Sequence, residues 1–454
     1  MKKTAQVLIF AMLITLVITM LTSCPATPVT LNGEPLESYT IVYSDESDYA
    51  KRAAEYIKSS VQALVGVELQ VVEDDTAPAE YEIVVGETSR DISKRLDADT
   101  EGVEFAILAE EKQIALEGDY FVIAAAAYFF VETYINNEKS VPLGETVHEP
   151  IVKEAKNFVL LIGDGMGINQ TKLPEHLENN CDYSDGENFF YGYLLPYEGR
   201  ASTSSLSGVT DSAAAGTALS TGYKTENGYV GQNYLGEDLT SITELALSLG
   251  KGAAVMSTEG STGATPSAFS AHTNSRDNDS EILDDQNVFQ YTNGGIIECN
   301  YNMYNTSGVK YIQTTINATL EKLAKNEKGF FLMYEEAHID KHSHSNDIAK
   351  AHDAVLRFNQ AIATFMEYAF YNPETLVIIT ADHETGGLTK NADDSYSYTT
   401  TSHTGADVPV FAYGSGAELF HNKNIDNTQI PKTVAYFWGV TDFGDQSTLP
   451  ALQK

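Results

Sequence analysis

Positive charge is scarce in this chain. Among its 454 residues, 28 Lys and Arg stand against 64 Asp and Glu, a formal net charge of −36, with a sequence pI near 4.5. That balance excludes nucleic acid as a partner, because phosphate backbones are held by basic patches. It also repels polyanions at long range, so any phosphate site here needs strong local positive charge such as metal ions. The remaining acidity reads as a solvated surface that maintains solubility. Cysteine is equally sparse: Cys24, Cys181 and Cys299 are the three present, too few for a disulfide framework to be the basis of the fold. Whether Cys181 and Cys299 pair is left open by the sequence. No internal repeat is visible, which argues against a solenoid.

What is present begins with an export signal. Lys2 and Lys3 precede an almost wholly apolar run from Val7 to Leu21, which is short for a membrane span and fits a signal peptide. The run ends in Leu21-Thr22-Ser23-Cys24, which resembles the lipobox of bacterial lipoproteins. That resemblance implies cleavage after residue 23 and a lipid on the Cys24 thiol. Residues 1–23 are then the signal and 24–37 a tether, and the protein is expected at the outer face of the cytoplasmic membrane or on the cell surface.

Length and a hydrophobic content of 43% predict a folded chain of about two domains. Residues 38–137 read as a small α/β accessory domain. Strands are expected at Tyr39–Tyr43, Val67–Val72, Glu82–Gly86, Glu104–Leu108 and Gln113–Glu117. Apolar spacing predicts helices over Asp48–Leu64 and Tyr120–Tyr134. The pattern resembles the accessory domain of bacterial hexosaminidases and alpha-glucuronidases, which implies a glycan or surface partner; a plain spacer is the default. Residues 138–156 read as a linker. From residue 157 to 454, apolar runs at Phe158–Gly163, Gly252–Ser257, Phe330–Tyr334, Leu376–Thr380 and Val408–Tyr413 alternate with helical segments. Fully apolar strands alternating with helices predict an α/β fold: a doubly wound, mainly parallel sheet covered on both faces.

Ligand sites of such sheets lie outside the carboxyl ends of the strands. Three runs end there in carboxylates: Asp164 after Gly163, Glu335 after Tyr334, and Asp382 with His383 after Ala381. Three acids aimed at one crevice repel one another unless cations lie between them. Asp340 and His344 are four apart and share a helical face. His403 follows a Ser/Thr-rich loop. Mixed His and Asp donors suit zinc, and oxygen donors suit magnesium. Glu336 should face away from Glu335 if the strand persists. His338 and His342 read as flanking, and His272 and His352 as polar surface or helix positions. Finally, Val209-Thr210-Asp211-Ser212-Ala213-Ala214-Ala215 reads as a loop entering a helix at Ser212. Alone, that stretch is a capped packing helix; beside a metal-lined crevice, Ser212 becomes a candidate nucleophile.

Six separated motifs, in order, resemble the alkaline phosphatase family: Gly163-Asp164-Gly165-Met166-Gly167; Thr210-Asp211-Ser212-Ala213-Ala214-Ala215; Ala264-Thr265-Pro266 with Ala271-His272 and Ser275-Arg276; Glu335 with Ile339-Asp340-Lys341 and His344; Thr380-Ala381-Asp382-His383; and Ser402-His403-Thr404-Gly405. The resemblance implies two zinc ions and one magnesium ion. Asp340, His344 and His403 would hold one zinc, and Asp164, Asp382, His383 and Ser212 the other. Asp164, Thr265 and Glu335 would hold the magnesium. Arg276 would grip phosphate, with Lys341 assisting. The implied activity is hydrolysis of small phosphate monoesters through a phosphoserine on Ser212. A homodimer is left open. The alternatives are a phosphodiesterase of the same superfamily and a non-catalytic surface lipoprotein binding phosphate or glycan. A sulfatase is disfavoured because no Cys/Ser-x-Pro-x-Arg motif sits at the nucleophile. One departure stands out: Gly263, two residues before Thr265, occupies a place where the family often has Asp or His. That puts support of the magnesium, and the acidic partner of Lys341, in doubt.

Overall fold

The computed structural model describes residues 29–96, 105–137, 139–148, 153–176, 189–305 and 309–453. The expected signal, Cys24 and Cys181 lie outside the described residues. Among the described residues, no helix is long and apolar enough to cross a membrane, and Cys299 is a free thiol. The chain divides into two compact units, each described by itself.

The smaller unit contains a six-stranded sheet in the order Gln70–Glu73, Tyr39–Tyr43, Tyr81–Val85, Gln113–Glu117, Ala106–Ala109, Thr146–Val147. The first four strands run parallel and the last two pair antiparallel. Thr146–Val147 falls in the stretch read as a linker. Helix Asp48–Val65 follows from its apolar spacing: Tyr49, Ala53, Ile57 and Val61 form its buried stripe. Ser47 caps its start by accepting from Ala50 N, and Gly66 ends it in the left-handed conformation. The expected helix over Tyr120–Tyr134 is a 3₁₀ turn at Tyr120–Val122, an α-helix at Ile123–Phe130 and a wider turn at Val131–Asn136. Its first part, Tyr120–Ala125, groups with the larger unit.

The larger unit is built on an eight-stranded sheet. Its order is Ile296–Cys299, Gly252–Ser257, Phe330–Glu336, Asn157–Gly163, Thr375–Thr380, Val408–Tyr413, Tyr197–Ser202, Asn424–Asp426. The first five strands are mutually parallel. Asn157–Gly163, Phe330–Glu336 and Thr375–Thr380 are buried at every position, as strands covered on both faces must be. Val408–Tyr413, read as one more run of the parallel set, is antiparallel to both neighbours. Helix Ile348–Tyr371 packs on the Asn157–Gly163, Phe330–Glu336 and Thr375–Thr380 strands. The parallel order brings the carboxyl ends of four adjacent strands together, so Ser257, Glu335, Asp164 and Asp382 leave the sheet on one edge.

Candidate metal centre and nucleophile

Ser212 is the first residue of helix Ser212–Thr221, all of whose side chains are buried. The helix starts where it does because Asp211 adopts extended backbone and caps it, accepting from Ala214 N at 3.0 Å. The other Asp211 oxygen accepts from Gly228 N at 3.0 Å and from Arg276 Nη1 at 3.2 Å. Asp211 thus fixes both the helix start and the guanidinium, and is not in either ligand group. Ser212 Oγ lies 3.1 Å from His383 Nε2.

Two groups of metal-type donors converge beside it: Asp340 with His344 and His403, and Asp164 with Asp382 and His383. In each, the donor atoms lie within 4.8 Å of one another. Short helix His338–His344 carries Asp340 and His344 one turn apart. Glycine at 165 is required: its φ is +70°, and a Cβ there would fall 2.8 Å from Asp340 Cα. That close approach lets Gly165 N donate to Asp382 Oδ1 at 3.1 Å.

The histidine tautomers follow from their partners. His344 Nδ1 faces Thr401 O at 2.6 Å, and His403 Nδ1 faces Thr210 O at 2.9 Å. A carbonyl only accepts, so both Nδ1 atoms carry the proton and both Nε2 atoms keep a lone pair. Those two Nε2 atoms lie 3.1 Å apart, and 3.3 and 3.5 Å from Asp340 Oδ1. Three acceptors in that arrangement repel unless a cation sits among them. Thr385 Oγ1 donates to Asp340 Oδ1 at 2.5 Å and lies 3.2 Å from His383 Nδ1. Its hydroxyl therefore accepts from His383 Nδ1–H, and His383 Nε2 also keeps its lone pair, aimed at Ser212. The His383 and His403 rings stack with centroids 3.6 Å apart, which places the two groups side by side.

A third set is made of oxygen. Thr265 Oγ1, Glu335 Oε1 and Asp164 Oδ1 are sealed from solvent and accept no hydrogen bond, as does Asp382 Oδ2. Orphaned buried acceptors of this kind are costly, and a cation would satisfy them. Crowding of like charge is visible in the carboxyls. Burial, then Asp382 and Asp340, push Asp164 up, and burial, then Glu259, push Glu335 up. Burial chiefly, together with Asp340, pushes Asp382 up to about 7. Burial chiefly, then neighbouring His403, pulls His383 down to about 3. Asp340 is the exception: burial is outweighed by its imidazole neighbours and by the Thr385 hydroxyl that donates to it, which hold it below the usual range.

Six of the nine expected metal-site residues thus fall in the two donor groups, Ser212 lies beside His383, Thr265 and Glu335 are orphaned buried oxygens, and Arg276 is held by Asp211. Lys341 is tied to Glu259 in an ion pair, a partner the sequence did not suggest. Thr385 was missed as well, although it stands two residues past His383, on the same side of an extended chain. Glu336 points away from Glu335; its Oε1 accepts from His338 N at 3.1 Å and Thr258 Oγ1 at 3.3 Å. His352 is buried on the long helix.

His272 is more than a surface histidine. Nδ1 faces Asp285 Oδ2 at 3.2 Å and Nε2 faces Leu239 O at 3.1 Å, with Glu244 at 3.4 Å. Both ring nitrogens face acceptors, which favours the imidazolium. Burial opposes the charge, but Glu244, Asp238 and Asp285 outweigh it and raise the pKa to about 9. A raised histidine contributes stability that is complete below its unfolded pKa of ~6.5 and lost as pH rises through the folded value. His272→Gln should therefore lower the thermal midpoint by a few degrees at pH 6 and by little at pH 10, an effect on the order of 2 kcal/mol at the lower pH. Midpoints of the two proteins that differ equally at both pH values would contradict this.

Comparisons with known proteins place the chain among phosphatases. The profile of the family described as alkaline phosphatase matches residues 155–305 and 310–400. Alkaline phosphatase 3 of Bacillus subtilis (strain 168) is 26% identical over 412 residues, covering 62% of this chain and 88% of that protein. The solved alkaline phosphatase of the Antarctic bacterium TAB5 superposes with a TM-score of 0.55 at 27% identity, covering 63% of this chain and 99% of that one. A single-residue mutant of the same TAB5 enzyme, solved with Mg bound in the M3 site, gives 0.54 at 26% identity over 65% of this chain and 100% of that one.

Proposed function

Since the chain belongs to the alkaline phosphatase family and is a hydrolase of that superfamily, we propose that it hydrolyses phosphate monoesters with Ser212 as the attacking group. The observation that carries this is Ser212 Oγ at a buried helix start, 3.1 Å from the His383 Nε2 lone pair and beside a second group whose His344 and His403 lone pairs face each other. The donor sets fit the expected metals. Asp340, His344 and His403 would hold one zinc, and Asp164, Asp382 and His383 the other. The all-oxygen set of Asp164, Thr265 and Glu335 would hold magnesium. Bound there, such cations supply Lewis acidity that lowers the pKa of a serine hydroxyl and neutralises charge on the oxygens of phosphoryl transfer.

The chain's own residues set the geometry. The start of helix Ser212–Thr221 presents the positive end of its dipole to a phosphate. Arg276, anchored by Asp211, offers its planar fork to two phosphate oxygens. Ser212 Oγ attacks phosphorus as the bond to the ester oxygen breaks, and water then cleaves the phosphoserine, returning the hydroxyl. A third cation site adds local positive charge, which suits the doubly charged monoester over the singly charged diester. Turnover of an aryl phosphate should exceed that of the matching diester by at least ~100-fold, in line with a contribution of about 2–4 kcal/mol from electrostatics; a preference for the diester would overturn the monoester reading. Arg276→Ala should lower kcat/KM by roughly 10–100-fold through loss of charged hydrogen bonds. Arg276→Lys should recover little, because an ammonium cannot form the fork. Full recovery in the Lys variant would show that charge alone is needed.

A further inference from the structure

Glu259 lies just past the carboxyl end of strand Gly252–Ser257, where its N donates to Ser257 Oγ at 3.0 Å. Ser257 in turn donates to Glu335 Oε2, so this loop is fastened to the oxygen set itself. The Glu259 side chain is 13% exposed and forms an ion pair with Lys341 Nζ. The space its carboxylate occupies is informative. A Cβ built on Gly263 would overlap Glu259 Oε1 and Cδ and lie 3.0 Å from its Cγ. Gly263 has φ −54° and ψ 150°, which any residue can adopt, so its backbone does not require glycine. The Glu259 carboxylate in front of it fills the space that a side chain there would take. Two residues on, Thr265 holds its orphaned hydroxyl in the first turn of helix Ala264–Ala268.

We propose that Glu259 is the acidic positioning residue of the magnesium site, delivered from the strand end in place of a side chain at residue 263. Its carboxylate holds Lys341, adds negative charge beside Glu335 and Asp164, and fills the volume that Gly263 vacates. Residues 259 and 263 are therefore alternatives: one space takes one acidic side chain. This rests on the reading of Asp164, Thr265 and Glu335 as a cation site.

The test is a titration of Mg²⁺ alone into the zinc-loaded full chain, followed by calorimetry and by thermal midpoint. Glu259→Gln should weaken Mg²⁺ binding by roughly 10–100-fold, the range for loss of an outer-shell partner, with zinc content unchanged. Gly263→Ala, which keeps Glu259 but displaces its carboxylate, should weaken Mg²⁺ in the same direction. The exchange variant Glu259→Ala with Gly263→Asp, which empties the space before refilling it, should recover most of the affinity, which a merely structural loss would not do. Unchanged Mg²⁺ affinity in Glu259→Gln, against clear binding by the parent chain, overturns the role of Glu259 and leaves the cation site standing. No Mg²⁺ binding by the parent chain overturns the cation-site reading, and the role of Glu259 with it.

Discussion

Ser212→Ala is expected to lower kcat/KM on an aryl phosphate by roughly a thousandfold or more, because the site hydroxyls of Thr210, Thr265 and Thr385 are each committed elsewhere. The buried Thr265 Oγ1 belongs to the oxygen set, and Thr210 Oγ1 bonds toward Asp211 O. The fold should survive. The helix is capped by Asp211 and not by Ser212, and the substitution removes the hydroxyl's hydrogen bond with His383, worth ~1 kcal/mol. Metal content should also hold, since Asp164, Asp382 and His383 remain. Acid quenching during turnover of a radiolabelled ester should trap label on the parent protein and none on the variant. A variant that is folded, metal-replete and still within about tenfold of the parent rate would remove Ser212 from the reaction. Covalent label at another residue would do the same and name the replacement.

Much of this site was legible because a parallel sheet converts sequence order into geometry. Each of Asp164, Glu335 and Asp382 directly follows an apolar run, and parallel strands put all such positions on one edge. The four-residue spacing of Asp340 and His344 needed only helical periodicity. What escaped the sequence has physical reasons. Val408–Tyr413 is buried at every position, and a fully apolar strand reads the same in either direction. Strand Tyr197–Ser202 alternates with exposed Glu198 and Arg200, and Asn424–Asp426 has three residues, so neither gives an apolar run. Glu259 was missed because support for Thr265 was sought at residue 263, along the chain. The structure brings the carboxylate across space from four residues earlier, and the glycine that looked like a loss is what admits it.

Chelation should have the other large effect, and it should fall on the fold as well as on activity. Asp164, Glu335, Asp340 and Asp382 are buried, and they converge with the lone pairs of His383, half-buried His403 and the more open His344. Without cations, that many acceptors and negative charges are held together only by the strands and helices that carry them. Each cation bound at ~1,000 times its Kd stabilises the native chain by about 4 kcal/mol. Stripping the protein with EDTA should therefore abolish hydrolysis and lower the thermal midpoint by on the order of 10 °C. Zinc should restore most of that midpoint, and magnesium should add a smaller increment, because imidazole donors suit zinc and oxygen donors suit magnesium. The Ser212→Ala protein should show the same loss on stripping, since its ligands are intact. Asp164→Asn should behave differently: Asp164 belongs to the group with Asp382 and His383, and its Oδ1 is one of the orphaned buried oxygens, so one substitution should weaken cation binding at both. A midpoint that does not move on chelation would mean that the crevice is closed by protons or by its own hydrogen bonds, and would count against the cation reading of all three donor sets.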